Sequence, residues 1–324
     1  MKAVVCRQFG PPELLVIEDL PSPQPAAGQV VVAVRAASLN FPDVLIIQDQ
    51  YQLKPPLPFS PGSELAGVVK GVGAGVTNVA PGDRVMAVIG FGAFRSEVVV
   101  DAAKLHQIPE YMPDDIASAF LLTYGTCEFA LCDRGALQAG ETLLVLGAAG
   151  GIGIAAIEIG VALGARVIAC ASSAEKLEVC RRHGASETID YVHEDLRERI
   201  KALTGGRGVD VVCDAVGGPY TELALRSTAW RGRLLVIGFA AGEIPKIPLN
   251  LTLLKGCAIL GVFWGDYARR EPARWNASVT RLNQWYSEGK LRPEISERYP
   301  LERAADALQR MARRQVLGKA VLVV

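Results

Sequence analysis

Hydrophobic positions along the chain fall into two regimes. From residue 1 to about 120 the apolar runs are short and valine-rich: QVVVAVRAA at 29–37, ELAGVVKGV at 64–72 and RVMAVI at 84–89, with PPLPFSPG and APGD among the segments between them. Such runs, bounded by proline and glycine, predict strands joined by tight turns, so this half reads as an all-β or barrel-like domain. From about 125 to 265 strands alternate with helices: ETLLVLG, a helix from 151, RVIACA, a helix from 174, VDVVCDAVG, GRLLVIG and CAILGVFW. Five strands separated by crossovers predict a doubly wound parallel sheet, an α/β fold. Beyond 265, two helical stretches, roughly 270–289 and LERAADALQRMARR at 301–314, precede an apolar strand, KAVLVV. A lone terminal strand must pair with something, and the first domain is the expected host. The expected division is therefore a first domain over 1–122, completed by about 266–324, and a second over 123–265.

Composition narrows the partners. A length of 324 residues suits two domains, each with an ample core. Lysine plus arginine equals aspartate plus glutamate at 34 each, which argues against nucleic acid and anionic membrane surfaces and for a small-molecule partner. MKAVVCRQFG runs directly into strand-like alternation, and no apolar stretch reaches the roughly 20 residues of a membrane span, so a soluble cytoplasmic protein is expected. The seven cysteines (6, 127, 132, 170, 180, 213, 257) are scattered and never form a C-x-x-C pair, which suits a reducing compartment. Only three histidines are present (106, 183, 193), none near a cysteine in a ligand-like spacing, and no metal is expected.

The densest motif is LVLGAAGGIGIAAIEIG at 144–160. Its Ala148-x-Gly150-x-x-Gly153 spacing follows a predicted strand and opens a helix, the context in which small residues bring backbone N–H groups and the helix dipole to a pyrophosphate. Ala149, Gly150, Gly151, Ile152 and Gly153 are the candidate cofactor contacts, and Gly153 would also permit close packing of helix on strand. The alternative is a tight βα turn with no ligand. A dinucleotide with a free ribose 2′-hydroxyl calls for a carboxylate at the end of the next strand, about 20 residues on. Here RVIACA ends in Ala171-Ser172-Ser173, followed by Lys176. Two hydroxyls and a cation suit a 2′-phosphate, so NADPH is expected over NADH. Lys176 could instead be a solvated lysine in a first helical turn.

Taken together, GPPELLVIEDLPSPQPAAGQVVV near the start, PGSELAGVV at 61–69, APGDRV at 80–85, GAAGGIG at 147–153 and the closing GKAVLVV resemble the medium-chain dehydrogenase/reductase superfamily over essentially the full chain. The resemblance implies a GroES-like β-barrel catalytic domain and a Rossmann nucleotide-binding domain. Members that hold catalytic zinc carry Cys and His where this chain has Asn40 and Ser63, and a four-cysteine lobe for which RVMAVIGFGAFRSEVVV has neither cysteines nor room. The chain is thus similar to the zinc-free branch, quinone oxidoreductases of the zeta-crystallin kind and the related enoyl-thioester reductases. By that resemblance Tyr191 and Arg314 complete the 2′-phosphate pocket. Gly238 and Phe239 after the fourth strand, and Val262, Phe263 and Trp264 in the fifth, lie beside the nicotinamide, and Thr123 touches its amide. Each of these also has a structural reading, as a surface aromatic, a helix-terminal cation, core packing or a helix cap.

The chemistry is expected in SLNFPDVLIIQDQY at 38–51. Hydride addition to a quinone or conjugated carbonyl leaves negative charge that must be stabilised or protonated, and Asn40, Asp43 and Tyr51 are the candidates. Asn40 and Tyr51 can donate without carrying charge, and in enoyl-thioester members of the resembling family the matching tyrosine is the acid. The alternative is that Asn40 and Asp43 cap a short helix begun by PDVLIIQ while Tyr51 packs on the PPLP turn. Leu45, where a tyrosine is common in the quinone reductases, leaves the pocket's shape open. The leading expectation is NADPH-dependent reduction of a quinone without metal. Reduction of an activated alkene, such as an enoyl thioester or enone, is the runner-up, and a catalytically silent NADPH-binding sensor is a reading of another class. CAILGVFWGDY at 257–267 is expected to be an apolar sheet edge that pairs in a homodimer.

Overall fold

The computed structural model describes all 324 residues. The chain divides into two compact units, Met1–Leu122 with Ile295–Val324, and Thr123–Glu294. Both helices after the last strand of the second unit, Trp264–Arg270 and Pro272–Ser287, stay in that unit. The chain returns at Ile295, later than the pattern change near 266 suggested.

In the first unit, a sheet runs in the order Ile295–Pro300, Lys319–Val323, Gln29–Ser38, Glu64–Val72, Arg84–Val88 and His106–Gln107. Gln29–Ser38 also pairs with Glu97–Asp101. This strand carries three partners because it is long and buried along most of its length, with Val30, Val32 and Ala37 fully buried. The closing strand, Lys319–Val323, pairs antiparallel with Gln29–Ser38, Val321 opposite Ser38, so the expected host is the observed one. Asn40 then stands at the start of a short helix, Phe41–Ile46.

In the second unit, six parallel strands run in the order Glu187–Asp190, Arg166–Ala171, Thr142–Leu146, Val209–Asp214, Thr228–Val236, Ala258–Gly261. Counted within the unit, this is the 3-2-1-4-5-6 order of a dinucleotide-binding sheet. The central Thr142–Leu146 is buried at every position, as a strand covered on both faces must be. The expected count of five strands is corrected to six. The extra strand, Glu187–Asp190, is short and polar and buries only Ile189, which leaves almost no hydrophobic pattern to read.

A second correction concerns 257–267. The edge strand covers only Ala258–Gly261, so Val262, Phe263 and Trp264 do not lie in it. A helix starts at Trp264, and Trp264 and Tyr267, one helical turn apart, are both buried. A short apolar run carries no period long enough to separate strand from helix, and here it contains both.

Candidate functional site

In the second unit, the site grows from the turn between Thr142–Leu146 and the helix Gly151–Ala162. Gly147 sits at φ +66°, where a Cβ would lie 2.7 Å from Val216 Cγ2. A Cβ on Gly153 would lie 2.5 Å from the Cα, C and O of Ala148, so the helix packs on the turn at a distance only glycine allows. At Gly150 the protein makes no such demand: a Cβ there would meet only the Gly147 carbonyl oxygen, at 3.6 Å. Ala149 is buried behind the turn. The first helical N–H groups, those of Gly151, Ile152 and Gly153, have no intrahelical acceptor and face the end of the sheet where the strands' carboxyl ends lie.

One strand over, Arg166–Ala171 ends beside the next candidates. Lys176 Nζ donates to Ser172 Oγ at 3.1 Å, and Ser173 Oγ accepts from the Lys176 backbone N–H at 3.3 Å as the cap of helix Ala174–Arg182. Ser173 thus has the capping role, and Ser172 with Lys176 forms a half-buried hydroxyl and ammonium pair. The Tyr191 N–H donates to the Ala171 carbonyl at 3.2 Å, and its ring lies 4.4 Å from that of Tyr220. The nearby carboxylate of Asp190 is turned into its own loop, accepting from the Val192 N–H and bonded to His193 Nδ1. A 2′-phosphate would therefore meet donors at this strand end.

Gly238 and Phe239 follow what is now the fifth strand. The Gly238 N–H donates to the Asp214 carbonyl at 3.3 Å, and Phe239 lines a cavity of about 320 Å³ with Asp214, Thr221, Val236 and Ile244. Val262 is buried and donates to the Val236 carbonyl at 3.0 Å, whereas Phe263 is 65 % exposed. Trp264 packs edge-on to Trp275 with centroids 5.0 Å apart, and its indole Nε1 is buried without an acceptor. Thr123 is buried within the helix Leu121–Glu128. Asp214, missed in the sequence, holds this end of the sheet: it accepts from the Val216 and Gly217 N–H groups and the Thr221 hydroxyl. Its signal was the carboxylate ending VDVVCD before a glycine pair.

The first unit holds the polar cluster. Asn40 Nδ2 reaches Ser38 Oγ at 3.2 Å, Ser63 Oγ at 3.2 Å and Glu64 Oε1 at 3.1 Å, while its Oδ1 accepts from Lys319 Nζ at 2.5 Å. Lys319 Nζ also donates to the Leu39 carbonyl at 3.0 Å and pairs with Glu64 Oε1 at 3.2 Å. Glu64 further accepts from the Ser38 hydroxyl, and from the Leu122 N–H at 3.1 Å. All of these side chains are buried, so the amide of Asn40 is wholly occupied within the protein rather than offered as a donor. Ser38, Glu64 and Lys319 escaped the sequence reading. The legible signals were a glutamate inside an apolar strand and a single lysine opening KAVLVV.

Asp43 lies one turn into the helix. Its Oδ2 accepts from the Asn40 N–H at 2.8 Å, as a capping carboxylate does. Its Oδ1 is buried with no hydrogen-bond partner; the Ser63 hydroxyl acts on the carboxyl without completing a bond to that oxygen. Burial pushes the Asp43 pKa up to about 7, against the opposing pull of the Asn40 N–H and the Lys319 ammonium. Tyr51 is half-buried against the same core, and burial together with the charge of Asp43 raises its phenol, which stays protonated near neutrality. Arg314 also belongs to this unit, just past helix Ala304–Ala312 at φ +57°.

The known proteins that this chain resembles agree with both units. The alcohol dehydrogenase GroES-like domain matches residues 26–110, and the zinc-binding dehydrogenase family matches 151–284. A quinone oxidoreductase-like protein 2 homolog of Nematostella vectensis is 39 % identical over 99 % of this chain and 88 % of its own. A quinone oxidoreductase of Pseudomonas aeruginosa is 36 % identical over 99 % of both chains. The crystal structure of Escherichia coli quinone oxidoreductase complexed with NADPH superposes with a TM-score of 0.92 at 28 % identity, covering 100 % of both chains. The zinc in the second family's description does not fit the groups at Asn40 and Ser63: an amide and a hydroxyl, bonded to each other, with the Lys319 ammonium seated among them. With both domains matched and the relatives aligned from end to end, the chain belongs to the zinc-free quinone oxidoreductase family of medium-chain dehydrogenases/reductases.

Proposed function

We propose that the protein is an NADPH-dependent oxidoreductase that reduces a small quinone without metal. The observation that carries this reading is the pairing of two features in one sheet: a turn open at Gly150, and a Ser172–Lys176 hydroxyl and cation where a 2′-hydroxyl reader would place a carboxylate. Ala149 to Gly153 would hold the pyrophosphate, and Ser172, Lys176 and Tyr191 the 2′-phosphate. Thr123, Gly238, Phe239, Val262 and Phe263 would border the nicotinamide, with Trp264 supporting them from behind. Bound NADPH supplies a hydride. The quinone takes up that hydride and one proton to become the hydroquinone, and the chain's part is to supply the proton and exclude water. Tyr51, protonated and half-buried, is the donor to the developing oxyanion. Asp43, with a pKa of about 7, is the group behind it that can hold the replacement proton. Asn40 positions Asp43 by binding its carboxylate through the backbone N–H.

A second reading, reduction of an activated alkene, rests on the same half-buried, protonated Tyr51, since protonation of carbon needs a positioned acid. NADPH oxidation followed against a small quinone and a short enoyl thioester in parallel separates the two. Turnover of the quinone alone is expected. Turnover of the thioester alone would replace the leading reading, and turnover of neither would leave a nucleotide-binding sensor. Tyr51→Phe is expected to cost about 10-fold with a quinone and 100-fold or more with an alkene, because general acid catalysis contributes about 10²–10⁴-fold where a proton must be placed on carbon.

A homodimer is part of this proposal. The edge strand Ala258–Gly261 is flanked by helix Asn250–Lys255, on which Leu253 is 79 % and Leu254 71 % exposed, with Leu249 at 77 % just before it. A second copy that continues the sheet would cover this apolar edge. All seven cysteines are free thiols, in keeping with a cytoplasmic setting. No helix is long and apolar enough to cross a membrane.

A further inference from the structure

Lys319 is a buried ammonium with an unusually complete set of partners. Its side chain is 6 % exposed, and its three contacts are the Leu39 carbonyl, the Asn40 amide oxygen and the Glu64 carboxylate. One strand end thus grips the main chain at residue 39 and the side chain at residue 40, immediately before the helix that carries Asp43. The amide oxygen of Asn40 must face the ammonium, which commits Nδ2 to Ser38, Ser63 and Glu64. The Asn40 N–H in turn fixes one oxygen of Asp43 and leaves the other buried and unpartnered. A pure fold-stabilising role would be served as well by an apolar side chain of similar volume, since a buried ion pair is weak evidence for stability.

We propose that Lys319 is a positioning residue for the Asn40–Asp43–Tyr51 site: its ammonium fixes the direction of the Asn40 amide and sets the electrostatic balance at the Asp43 carboxyl. The inference rests on the reading of that site as the proton source. The groups that face Asp43 are few. Lys319 opposes its protonation and Glu64 favours it; the Asn40 N–H and Ser63 hydroxyl favour the carboxylate; and Tyr51 is close enough to feel the charge of Asp43. Lys319 is therefore the one cation among them, and removing it must raise the pH at which Asp43 ionises.

The test follows the carboxyl carbon of Asp43 by ¹³C NMR in aspartate-labelled, full-length protein, with the pH profile of quinone turnover measured alongside. Lys319→Met is expected to move the Asp43 midpoint upward by about 1 pH unit or more, as loss of a nearby opposite charge does. Lys319→Arg, which keeps the charge, should restore it. Should Lys319→Met fail to fold, Glu64→Gln carries the opposite sign: it removes a repelling carboxylate, leaves the cation uncompensated, and should move the midpoint downward. A midpoint unmoved in every folded variant overturns the assignment of Lys319. A midpoint that moves while the turnover profile stays in place supports Lys319 and overturns the proton-source reading instead.

Discussion

A methyl group at Gly150 would meet nothing closer than the Gly147 carbonyl oxygen, 3.6 Å away, and its φ of −86° suits alanine as well as glycine. Gly153 is the opposite case, since its Cβ would fall 2.5 Å from Ala148 backbone atoms. These two glycines separate the demands of the fold from those of a ligand. Gly150→Ala is expected to change stability by less than about 0.5 kcal/mol, yet to raise the Kd for NADPH at least tenfold by filling the space a phosphate needs. Gly153→Ala is expected to cost about 1–3 kcal/mol of stability through overpacking. Thermal melts with and without NADPH check both. The same scale shows what the sequence concealed: Asn40 is the right residue type for a donor, but three acceptors and a lysine claim its amide, and only folding brings residue 319 beside residue 40.

Helices of the second unit are tied together through one buried carboxylate. Glu158, on Gly151–Ala162, accepts from the Tyr124 hydroxyl at 2.7 Å and the Arg292 N–H at 2.9 Å, and is bonded to His183 Nδ1 at 2.7 Å. His183 Nε2 in turn lies 3.2 Å from Glu294. Burial alone would lower the pKa of His183, but the two carboxylates outweigh it and the net direction is upward. A raised folded-state value contributes stability that is complete below the ordinary histidine range and is lost as pH rises through the folded value. His183→Gln should therefore lower the Tm by about 2–4 °C near pH 6, with the difference shrinking as the pH rises above neutrality. None of this network was read from the sequence, because its members lie far apart in the chain. What periodicity does reveal is an element with a sustained pattern. The fully buried Thr142–Leu146 and its following helix were legible; Glu187–Asp190, with one apolar residue inward, was not, and neither was the point at which 257–267 changes from strand to helix.

At the scale of the whole molecule, the exposed leucines beside Ala258–Gly261 make assembly testable. Leu254→Glu places a charge on the apolar patch and is expected to convert a dimer to a monomer in sedimentation at micromolar concentration, with the fold of each chain unchanged. An unaltered sedimentation coefficient would move the interface elsewhere. The cofactor is the claim on which the remaining chemistry depends. The most direct measurement is equilibrium titration of the protein with NADPH and with NADH, followed by quenching of its tryptophan emission, in the wild type and in Lys176→Ala. NADPH is expected to bind at least tenfold more tightly, about 1.4 kcal/mol, and the preference should largely disappear in Lys176→Ala. Equal affinities for the two nucleotides in the wild type would contradict the account.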